Sequence, residues 1–476
     1  MWNLAKHSSN IAFVDESKNY TYRQISILTN KVKKKLSKKK NLTFILCQNS
    51  IGSILAYISS ILNKDVPFII DSDITDSQLS ILLKKYKPEF IWIPAKNKFL
   101  KELKKYKKIL TLLKYELYKS IENTNYIINK ELCTLASTSG STGNPKYVRQ
   151  TYKNIISNSK SIINYLKITR KSITITTLPM SYTFGQSIIN THLFVGGKVI
   201  LNKHSILQKN FWELFKQNKI SYLYGVPYSF ELLDKLNFFN KTNNTLKCIA
   251  QAGGKLSQEL QKKILKFSIN NNKKFYVMYG QAEATTRISY LELKKNPNKI
   301  GSIGKPILGG KLYLLNNNKR KINKIQTTGE LIYEGQNVCN GYSKNYEDLK
   351  KGDEWKGVIA TGDLAKKDND GFFYIVGRKK RIAKIFGKSI NLDDIENKLS
   401  LKFKNLNITV ISNDVYIYIF YNYIEKNLIK KMNVFLKKNF SLNTSIYRFN
   451  YLKKIPKLKS GKKNYFKFLS KIKDLN

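Results

Sequence analysis

The sequence predicts an α/β protein with a large N-terminal domain of mixed and parallel sheets flanked by helices, and a small C-terminal α/β domain. Three observations lead to this prediction. Short apolar runs alternate with helical patterns in the first part of the chain, which is typical of parallel strands joined by helices. Short strands and glycine turns replace that rhythm at residues 301–377, which indicates a β-rich subdomain. A shorter α/β pattern then begins, so we expect domains at 1–377 and 378–476.

The individual elements follow from apolar runs of strand or helix length. The first strands are expected at Leu42–Cys47, Pro67–Ile70 and Phe90–Ile93, with helices between them at Ile51–Leu62 and Ser77–Tyr86. Later strands are expected at Ile173–Leu178, Lys198–Leu201, Tyr222–Gly225, Cys248–Ala250 and Phe275–Met278. The C-terminal pattern comprises a helix near Leu392–Leu399, a strand at Val415–Phe420 and a helix near Lys426–Lys438.

The chain is strongly basic, and its composition explains why. Its 476 residues include 85 Lys and Arg against 32 Asp and Glu, a formal net charge of +53. Arginine, the usual reader of phosphates and bases, occurs at only eight positions. The lysines are spread evenly among Asn, Ile and Tyr, which share A/T-rich codons. Biased base composition therefore accounts for the charge, and we expect no specific nucleic-acid partner.

The cysteines and the hydropathy indicate a cytoplasmic protein. The four cysteines are far apart and form no C-x-x-C pair, which argues against a zinc ribbon or a disulfide framework. The first residues lack the apolar region of a signal peptide. No uninterrupted apolar run reaches the roughly 18 residues of a membrane span. We therefore expect a reducing compartment and no transmembrane segment.

The segment Ser137–Lys146 has the composition of an anion-binding loop. It holds five hydroxyl residues, two glycines and a lysine in ten positions. Glycines let a backbone turn tightly, and its exposed N–H groups then form a concave anion site. Composition alone leaves an ordinary surface loop open, and the spacing is not that of a Walker A loop. The candidate phosphate-binding residues are Ser137, Thr138, Ser139, Gly140, Ser141, Thr142, Gly143 and Lys146.

Further motifs follow this loop in a fixed order along the chain. They are Gln251–Gly254, Tyr279–Glu283, Thr328–Leu331 with Gly341-Tyr342, Thr361–Asp363, Gly377-Arg378, Lys384 with Gly387, Asp394–Glu396, and Pro456-Lys457 with Ser460–Lys462. In this order and spacing they resemble the adenylate-forming, or AMP-binding, superfamily. That superfamily comprises acyl-CoA synthetases, aryl-CoA ligases, luciferases and the adenylation domains of peptide synthetases. The resemblance extends over essentially the whole chain.

The resemblance implies a ligase that works in two half-reactions. A small carboxylic acid and ATP, with Mg²⁺, would give an acyl-adenylate and pyrophosphate. A thiol, from CoA or from the phosphopantetheine of an acyl carrier protein, would then displace AMP. Two alternatives stay open at this point: an acyl-AMP ligase acting only on a carrier protein, and a catalytically weakened relative with a binding role.

The resemblance also implies roles for residues of the large domain. Gly253 and Gly254 would face the adenine, and Tyr279, followed by Gly280 and Gln281, would stack on it. Glu283 would bind Mg²⁺. The family usually has threonine where this chain has Ala282, and loss of that hydroxyl removes one hydrogen bond to the α-phosphate, about 1 kcal/mol.

Other roles fall near and beyond the domain junction. Asp363 and Arg378 would bind the ribose. Lys380 corresponds to the hinge of a mobile small domain. Lys462 would be the main catalyst of adenylation, because a cation there stabilises charge in the transition state. The loop with Lys384 and Gly387 would face the site during thioester formation.

The acid pocket is the least defined part of the resemblance. Leu178–Gly185 resembles the acid-binding motif of the family, with Tyr182 and Gly185 as candidate pocket residues. Tyr182 either gates the carboxylate or packs as an ordinary aromatic. No aspartate lies between Ile173 and His192 to pair with an ammonium group, which argues against an α-amino acid. We therefore expect an apolar pocket that also includes Tyr224–Pro227 and Tyr279–Thr285.

Overall fold

The structure of the protein is a computed structural model. It describes residues 1–16, 18–96, 103–122, 124–138, 146–240, 244–385, 388–413, 415–440, 443–457 and 463–473. Ser139, Gly140, Ser141, Thr142, Gly143, Gly387 and Lys462, all expected in the site, lie outside the described residues. Lys384 is described through its backbone alone.

The strands of the described chain are short and run from the N-terminus almost to the C-terminus. Those before residue 200 are β1 Ile11–Asp15, β2 Lys18–Thr21, β3 Leu42–Cys47, β4 Val66–Asp71, β5 Phe90–Pro94, β6 Tyr106–Leu112, β7 Tyr115–Ser120, β8 Leu132–Ser137, β9 Tyr147–Thr151, β10 Ile173–Ile175 and β11 Lys198–Leu201. The next are β12 Tyr222–Gly225, β13 Cys248–Gln251, β14 Lys274–Tyr279, β15 Ser289–Glu292, β16 Lys305–Pro306, β17 Gly310–Leu315, β18 Gly329–Gly335 and β19 Tyr342–Ser343. The last are β20 Val358–Lys367, β21 Phe373–Arg378, β22 Ile382–Ile385, β23 Lys388–Asn391, β24 Thr409–Ser412, β25 Ile417–Tyr421 and β26 Tyr447–Tyr451.

Helices separate most of the parallel strands. They are α1 Tyr22–Lys33, α2 Ile51–Leu62, α3 Asp76–Tyr86, α4 Tyr152–Leu166, α5 Thr183–Val195, α6 Lys209–Gln217, α7 Pro227–Lys235, α8 Gln258–Asn270, α9 Leu392–Lys402, α10 Leu428–Phe440 and α11 Tyr465–Lys473. Threonine begins three of them with a reciprocal capping box, in which its hydroxyl and the side chain three residues on satisfy backbone N–H groups. No helix in the described ranges is long and apolar enough to cross a membrane.

The chain divides into two compact units. The first comprises Met1–Ser139, Pro145–Lys311 and Tyr333–Ile359. The second contains Leu312–Ile332 and Ala360–Asn476. The expected boundary after residue 377 and the subdomain at 301–377 stay predictions.

Two sheets form the first unit. In the described residues, one has the order β16-β15-β14-β13-β12-β10-β11-β1-β2. Its run from β14 to β1 is parallel, and β2, β15 and β16 are antiparallel at the edges. The other has the order β19-β9-β8-β4-β3-β5-β7-β6, with a parallel centre at β8, β4, β3 and β5. Helix α2 is buried along almost its whole length, which explains its apolar composition on all sides.

The second unit contains smaller sheets. Strands β20 and β21 pair antiparallel, β22 and β23 form a hairpin, and β24, β25 and β26 form a sheet packed with α9, α10 and α11. One predicted strand begins two residues late, at Ile417. The Asn413 side chain explains this, because its Oδ1 accepts hydrogen bonds from the N–H groups of Val415 and Tyr416 and holds them in a turn.

Candidate functional site

The expected site segments of the first unit gather at one edge of a sheet. Strands β10, β12, β13 and β14 run parallel, so their carboxyl ends share that edge. The acid motif follows β10, Val226 follows β12, Gly253 follows β13 and Gly280 follows β14. The carboxyl edge of a parallel sheet is where α/β proteins bind ligands.

Gly253 brings the adenine segment against the acid motif. Its φ of +83° favours glycine, and a Cβ there would lie 2.8 Å from Tyr182 Oη and 3.1 Å from Val226 Cγ1. Gln251 closes the same turn, because its side-chain amide donates to the Gly254 carbonyl at 2.7 Å. The tyrosine expected in the acid pocket therefore contacts the turn expected under the adenine.

The loop after β14 folds back tightly on itself. A Cβ on Gly280 would lie 2.0 Å from the Thr286 carbonyl oxygen, so only glycine fits. Between them Thr285 has a φ of +61°, and the Thr286 N–H donates to the Ala284 carbonyl at 2.6 Å, which closes a γ-turn. This conformation is strained for a β-branched residue. The Thr285 hydroxyl donates to the Asn337 carbonyl at 2.7 Å and holds the turn in place.

Tyr342 joins two residues that the sequence placed at the phosphates. Its hydroxyl donates to Glu283 Oε1 at 2.9 Å. Its ring lies under Lys146 Nζ, 4.8 Å from the ring centre, in cation–π geometry. A cation and a carboxylate are thereby held on one half-buried tyrosine. Burial, and then the charge of Glu283, raises the pKa of the Tyr342 hydroxyl, which stays protonated and keeps donating.

The two ends of the phosphate loop lie at this position. Ser137 ends β8, Tyr147 begins β9, and the two strands pair antiparallel. The Thr138 N–H donates to the Lys146 carbonyl at 2.8 Å. The Ser137 hydroxyl donates to the Ser181 carbonyl of the acid motif at 3.4 Å. The ends of the loop are therefore next to the expected acid pocket.

Ala282 replaces the usual family threonine in a small apolar cluster. It packs with Val148, Cys339, Tyr342 and Trp355. Its carbonyl accepts the S–H of Cys339 at 3.2 Å. The methyl side chain of Ala282 is almost fully buried in this cluster. This packing is a reason for alanine in place of the usual threonine.

Glu283 fits the role of a magnesium ligand. It is half-buried and forms no ion pair with any residue that the structure describes. Clusters of three or more His, Cys, Asp and Glu side chains are absent from the described ranges, so a cation there would complete its shell with phosphate oxygens and water. That ligand set is the one Mg²⁺ prefers beside a nucleotide.

The second unit brings the two expected ribose residues together. Asp363 and Arg378 are paired across β20 and β21, with Arg378 Nε 3.2 Å from Asp363 Oδ1. The Thr361 hydroxyl accepts the Asp363 N–H at 3.2 Å and donates to the Leu331 carbonyl at 2.8 Å. The buried aspartate is thereby oriented, while the arginine is exposed.

The expected hinge residue is exposed between two anchored neighbours. Lys379 pairs with Glu330 at 2.7 Å. The Arg381 side chain is 11% exposed and pairs with Asp393 and, at 2.9 Å, with Glu396. Backbone rotation at Lys380 would therefore occur between a residue held to β18 and a residue held to α9.

Glu396 holds the chain next to the expected catalyst. It accepts from Lys463 Nζ at 2.6 Å and from the Tyr465 hydroxyl at 3.0 Å, and also pairs with Arg381. Burial alone would raise the pKa of Glu396, but the charges of Lys463 and Arg381 outweigh burial and lower it. Lys463, directly after Lys462 in the sequence, is thus anchored to α9.

One charged residue that was not among the predicted site residues lies against the acid motif. Arg287 follows the γ-turn, is only 3% exposed, and stacks its guanidinium 4.0 Å from the Phe184 ring centre. The expectation of an apolar acid pocket stays a prediction. His192 lies in the buried part of α5, where its Nδ1 contacts the Ile188 carbonyl at 2.9 Å, and burial lowers its pKa to about 4.

Comparison with known proteins identifies the family. The model of the family described as AMP-binding enzyme matches residues 1–343. The chain belongs to this family. The match confirms the resemblance carried by the motifs, which include the phosphate loop and the segment from Tyr279 to Glu283.

Two relatives illustrate the sequence similarity. The mitochondrial medium-chain acyl-CoA ligase ACSF2 of Rattus norvegicus is 29% identical over 273 residues, 55% of this chain and 43% of the relative. The 2-succinylbenzoate–CoA ligase of Listeria innocua is 26% identical over 291 residues, 59% of this chain and 58% of the relative. The chain thus spans about half the length of the curated relatives it matches.

Solved structures confirm the α/β fold. The o-succinylbenzoate CoA synthetase of Bacillus subtilis with its acyl-adenylate intermediate superposes with a TM-score of 0.79 at 18% identity, covering 98% of this chain and 97% of that one. The same synthetase with ATP and magnesium superposes with a TM-score of 0.78 at 19% identity, covering 98% of both chains.

Proposed function

We propose that this protein activates a small carboxylic acid with ATP and transfers the acyl group to a thiol. In the first step a carboxylate oxygen attacks the α-phosphorus, the bond to the β-phosphate oxygen breaks, and pyrophosphate leaves. In the second step a thiol sulfur attacks the acyl carbon, the acyl–oxygen bond breaks, and AMP leaves. The thiol proton passes to solvent.

The observation that carries the proposal is the contact of Lys146 and Glu283 with the same tyrosine, Tyr342, beside the ends of the phosphate loop. Joining a carboxylate to a phosphate brings two anions together, so the site has to position them and neutralise charge. Lys146 supplies a cation for the β- and γ-phosphates. The hydroxyls of Ser137 and Thr138 supply donors.

Glu283 is the residue we assign to hold Mg²⁺. When bound, Mg²⁺ neutralises charge on the phosphate oxygens of ATP. Tyr342 orients the Glu283 carboxylate by donating to Oε1. The Bacillus subtilis synthetase holds ATP and a magnesium ion in the same fold, which supports the proposed use of ATP and Mg²⁺.

The nucleoside is assigned to the residues that the family resemblance implies. Tyr279 stacks on the adenine, Gly280 and Gln281 continue its loop, and the turn at Gly253 and Gly254 leaves room for a flat ring. Asp363 and Arg378 bind the ribose hydroxyls as acceptor and donor. Their pairing across β20 and β21 supports this role, because one side chain orients the other.

Lys462 is the proposed catalyst of adenylation, with Lys380 as the hinge and domains at 1–377 and 378–476. The anchoring of Lys463 to Glu396 supports the assignment, because it restrains the backbone next to Lys462. Lys384 and Gly387 are assigned to the thiol half-reaction. Lys462→Ala should abolish ATP–pyrophosphate exchange and spare the reaction of a supplied acyl-adenylate with thiol. Equal loss in both half-reactions would contradict the assignment.

CoA is the acceptor we favour, since both curated relatives carry CoA ligase in their names. A carrier-protein phosphopantetheine is the alternative acceptor. The cytoplasm is the proposed location, in keeping with four free, buried cysteines in the described chain.

A pyrophosphate-release screen tests the function. The panel should contain short, medium-chain and aromatic acids, with and without amino groups, and o-succinylbenzoate. Release with any acid, followed by thioester formation with free CoA, is the expected result. A thioester formed only with a holo-carrier protein would identify the acyl-AMP ligase alternative. Absence of release across the panel would favour the weakened relative with a binding role.

A further inference from the structure

Arg287 lies inside the first unit without an acidic partner. It is 3% exposed, yet none of the residues that the structure describes forms an ion pair with it. Its guanidinium makes one hydrogen bond to a carbonyl, from Nη1 to Thr286 at 3.3 Å, and Nε contacts Met278 Sδ at 3.4 Å. The guanidinium also stacks on Phe184 and interacts with the side chain of Tyr165, which carries no charge to balance it.

Two other arginines with little exposure have acidic partners. Arg149 is 1% exposed, pairs with Glu354, and donates to the carbonyls of Lys351, Gly352 and Asn340 at 2.6, 3.1 and 2.7 Å. Arg381 pairs with two carboxylates. Burying a charge without a counter-charge is costly, and both of these guanidinium groups have the counter-charge that Arg287 lacks among the described residues.

Two buried polar groups, on Tyr224 and on its neighbour His192, also lack hydrogen-bond partners in the described chain. The Tyr224 hydroxyl and His192 Nε2 are buried and form no hydrogen bond within the described chain. Tyr224 lies 6.2 Å from Phe184 and 6.3 Å from His192, ring centre to ring centre. Tyr165, Tyr182 and Tyr224 are all close enough to Arg287 to interact with its charge. A buried cation with an unpaired buried hydroxyl beside it indicates a place for a polar ligand group.

The strained turn explains how the arginine enters this region. The γ-turn at Thr285 reverses the chain immediately before Arg287. The chain returns so close to Gly280 that a Cβ on Gly280 would lie 2.8 Å from the Arg287 Cα. Asn158 and Asn337 both donate to the Arg287 carbonyl, at 3.0 and 2.8 Å, and fix its backbone. Strain held by so many bonds is typical of functional positions.

We propose that the acid substrate carries a second carboxylate, and that Arg287 binds this non-reacting group. The inference rests on the proposed function, because it places Arg287 in the acid pocket formed with Tyr182 and Phe184. A planar guanidinium binds a carboxylate with two parallel hydrogen bonds, which gives both energy and orientation. The substrate class is therefore a dicarboxylic acid, with the aromatic rings of Phe184 and Tyr224 against its carbon skeleton.

Matched acid pairs test the proposal on the full-length protein. Each dicarboxylate is compared with the monocarboxylate in which a methyl group replaces one carboxylate: succinate with butyrate, glutarate with valerate, phthalate with 2-methylbenzoate. Acid-dependent pyrophosphate release gives kcat/KM for each. The wild type should prefer one dicarboxylate over its partner by about a hundredfold, as expected for a buried charge pair. A preference for the monocarboxylate in every pair would overturn the inference and leave the proposed function intact.

Two variants assign the preference to the side chain. Arg287→Met keeps much of the volume and removes the charge, so it should lose the dicarboxylate preference and gain activity with the matched monocarboxylate. Arg287→Lys keeps the charge and should retain part of the preference. Activity gained with a monocarboxylate also shows that the variant folds. A dicarboxylate preference unchanged in both variants would overturn the role of Arg287. If none of the acids gave pyrophosphate release, the proposed function itself would be refuted instead.

Discussion

Removal of one hydroxyl tests the link between Glu283 and Lys146. Tyr342→Phe deletes the donor to Glu283 Oε1, a bond of 2.9 Å, and keeps the ring that lies under Lys146. A hydrogen bond to a charged group contributes about 1.5–3 kcal/mol, and the lower value applies because both side chains are half-buried. At about 1.4 kcal/mol per factor of ten, kcat/KM for ATP should fall about tenfold.

The assay is ATP–pyrophosphate exchange over a range of magnesium concentrations. The loss should be largest at low magnesium, because Tyr342 orients the carboxylate that we assign to the cation. Tyr118→Phe is the matched control, since Tyr118 donates to Glu116 at 2.8 Å on β7. Unchanged exchange in Tyr342→Phe, or an equal loss in the control, would refute the reasoning.

Three further predictions concern local structure. Gly280→Ala places a Cβ against the Thr286 carbonyl, so it should lower the free energy of unfolding in urea by about 1–3 kcal/mol and abolish ATP–pyrophosphate exchange. A stable, active variant would contradict the close approach of Thr286 to Gly280. The His192 pKa is lowered from 6.5 in the unfolded chain to about 4 in the folded protein, so the contribution of the neutral imidazole to the free energy of unfolding is present above pH 6.5 and is lost as the pH falls towards 4. The loss is about 3 kcal/mol, and His192→Leu should remove this pH dependence of the free energy of unfolding. Glu396→Gln removes the carboxylate that pairs with Lys463 and leaves Arg381 with Asp393 as its partner, so it should lower the free energy of unfolding by about 3–5 kcal/mol and lower exchange, with Asp394→Asn, which has an exposed i,i+4 pair, as control.

Much of the fold follows from local patterns in the sequence. Strands such as Leu42–Cys47 and Tyr222–Gly225 are continuous apolar runs because both of their faces are buried, and the prediction matches their bounds. Ends set by side chains are harder to predict. The strand predicted over Ile173–Leu178 ends at Ile175. The next residue, Thr176, donates its N–H to the Ile200 carbonyl at the end of β11, and its hydroxyl accepts the N–H of Asn202.

The site was predictable where a motif is contiguous and less so where contacts are long-range. Tyr342 belongs to the Gly341-Tyr342 motif, but nothing in the neighbouring sequence shows that its hydroxyl donates to Glu283. Arg287 went unnoticed because a lone arginine after Thr286 looks like a surface residue, and only the γ-turn turns it inward. Its rarity was the available signal, since the chain has just eight arginines.

The central claim is that an acyl-adenylate forms on this protein, and oxygen labelling tests it most directly. The protein would be incubated with ATP, CoA and an acid whose reacting carboxylate carries ¹⁸O, and the AMP released would be analysed by mass spectrometry. Attack of the carboxylate on the α-phosphorus transfers one labelled oxygen to AMP when the thioester forms. We expect one ¹⁸O per AMP. Unlabelled AMP formed together with thioester would contradict the account.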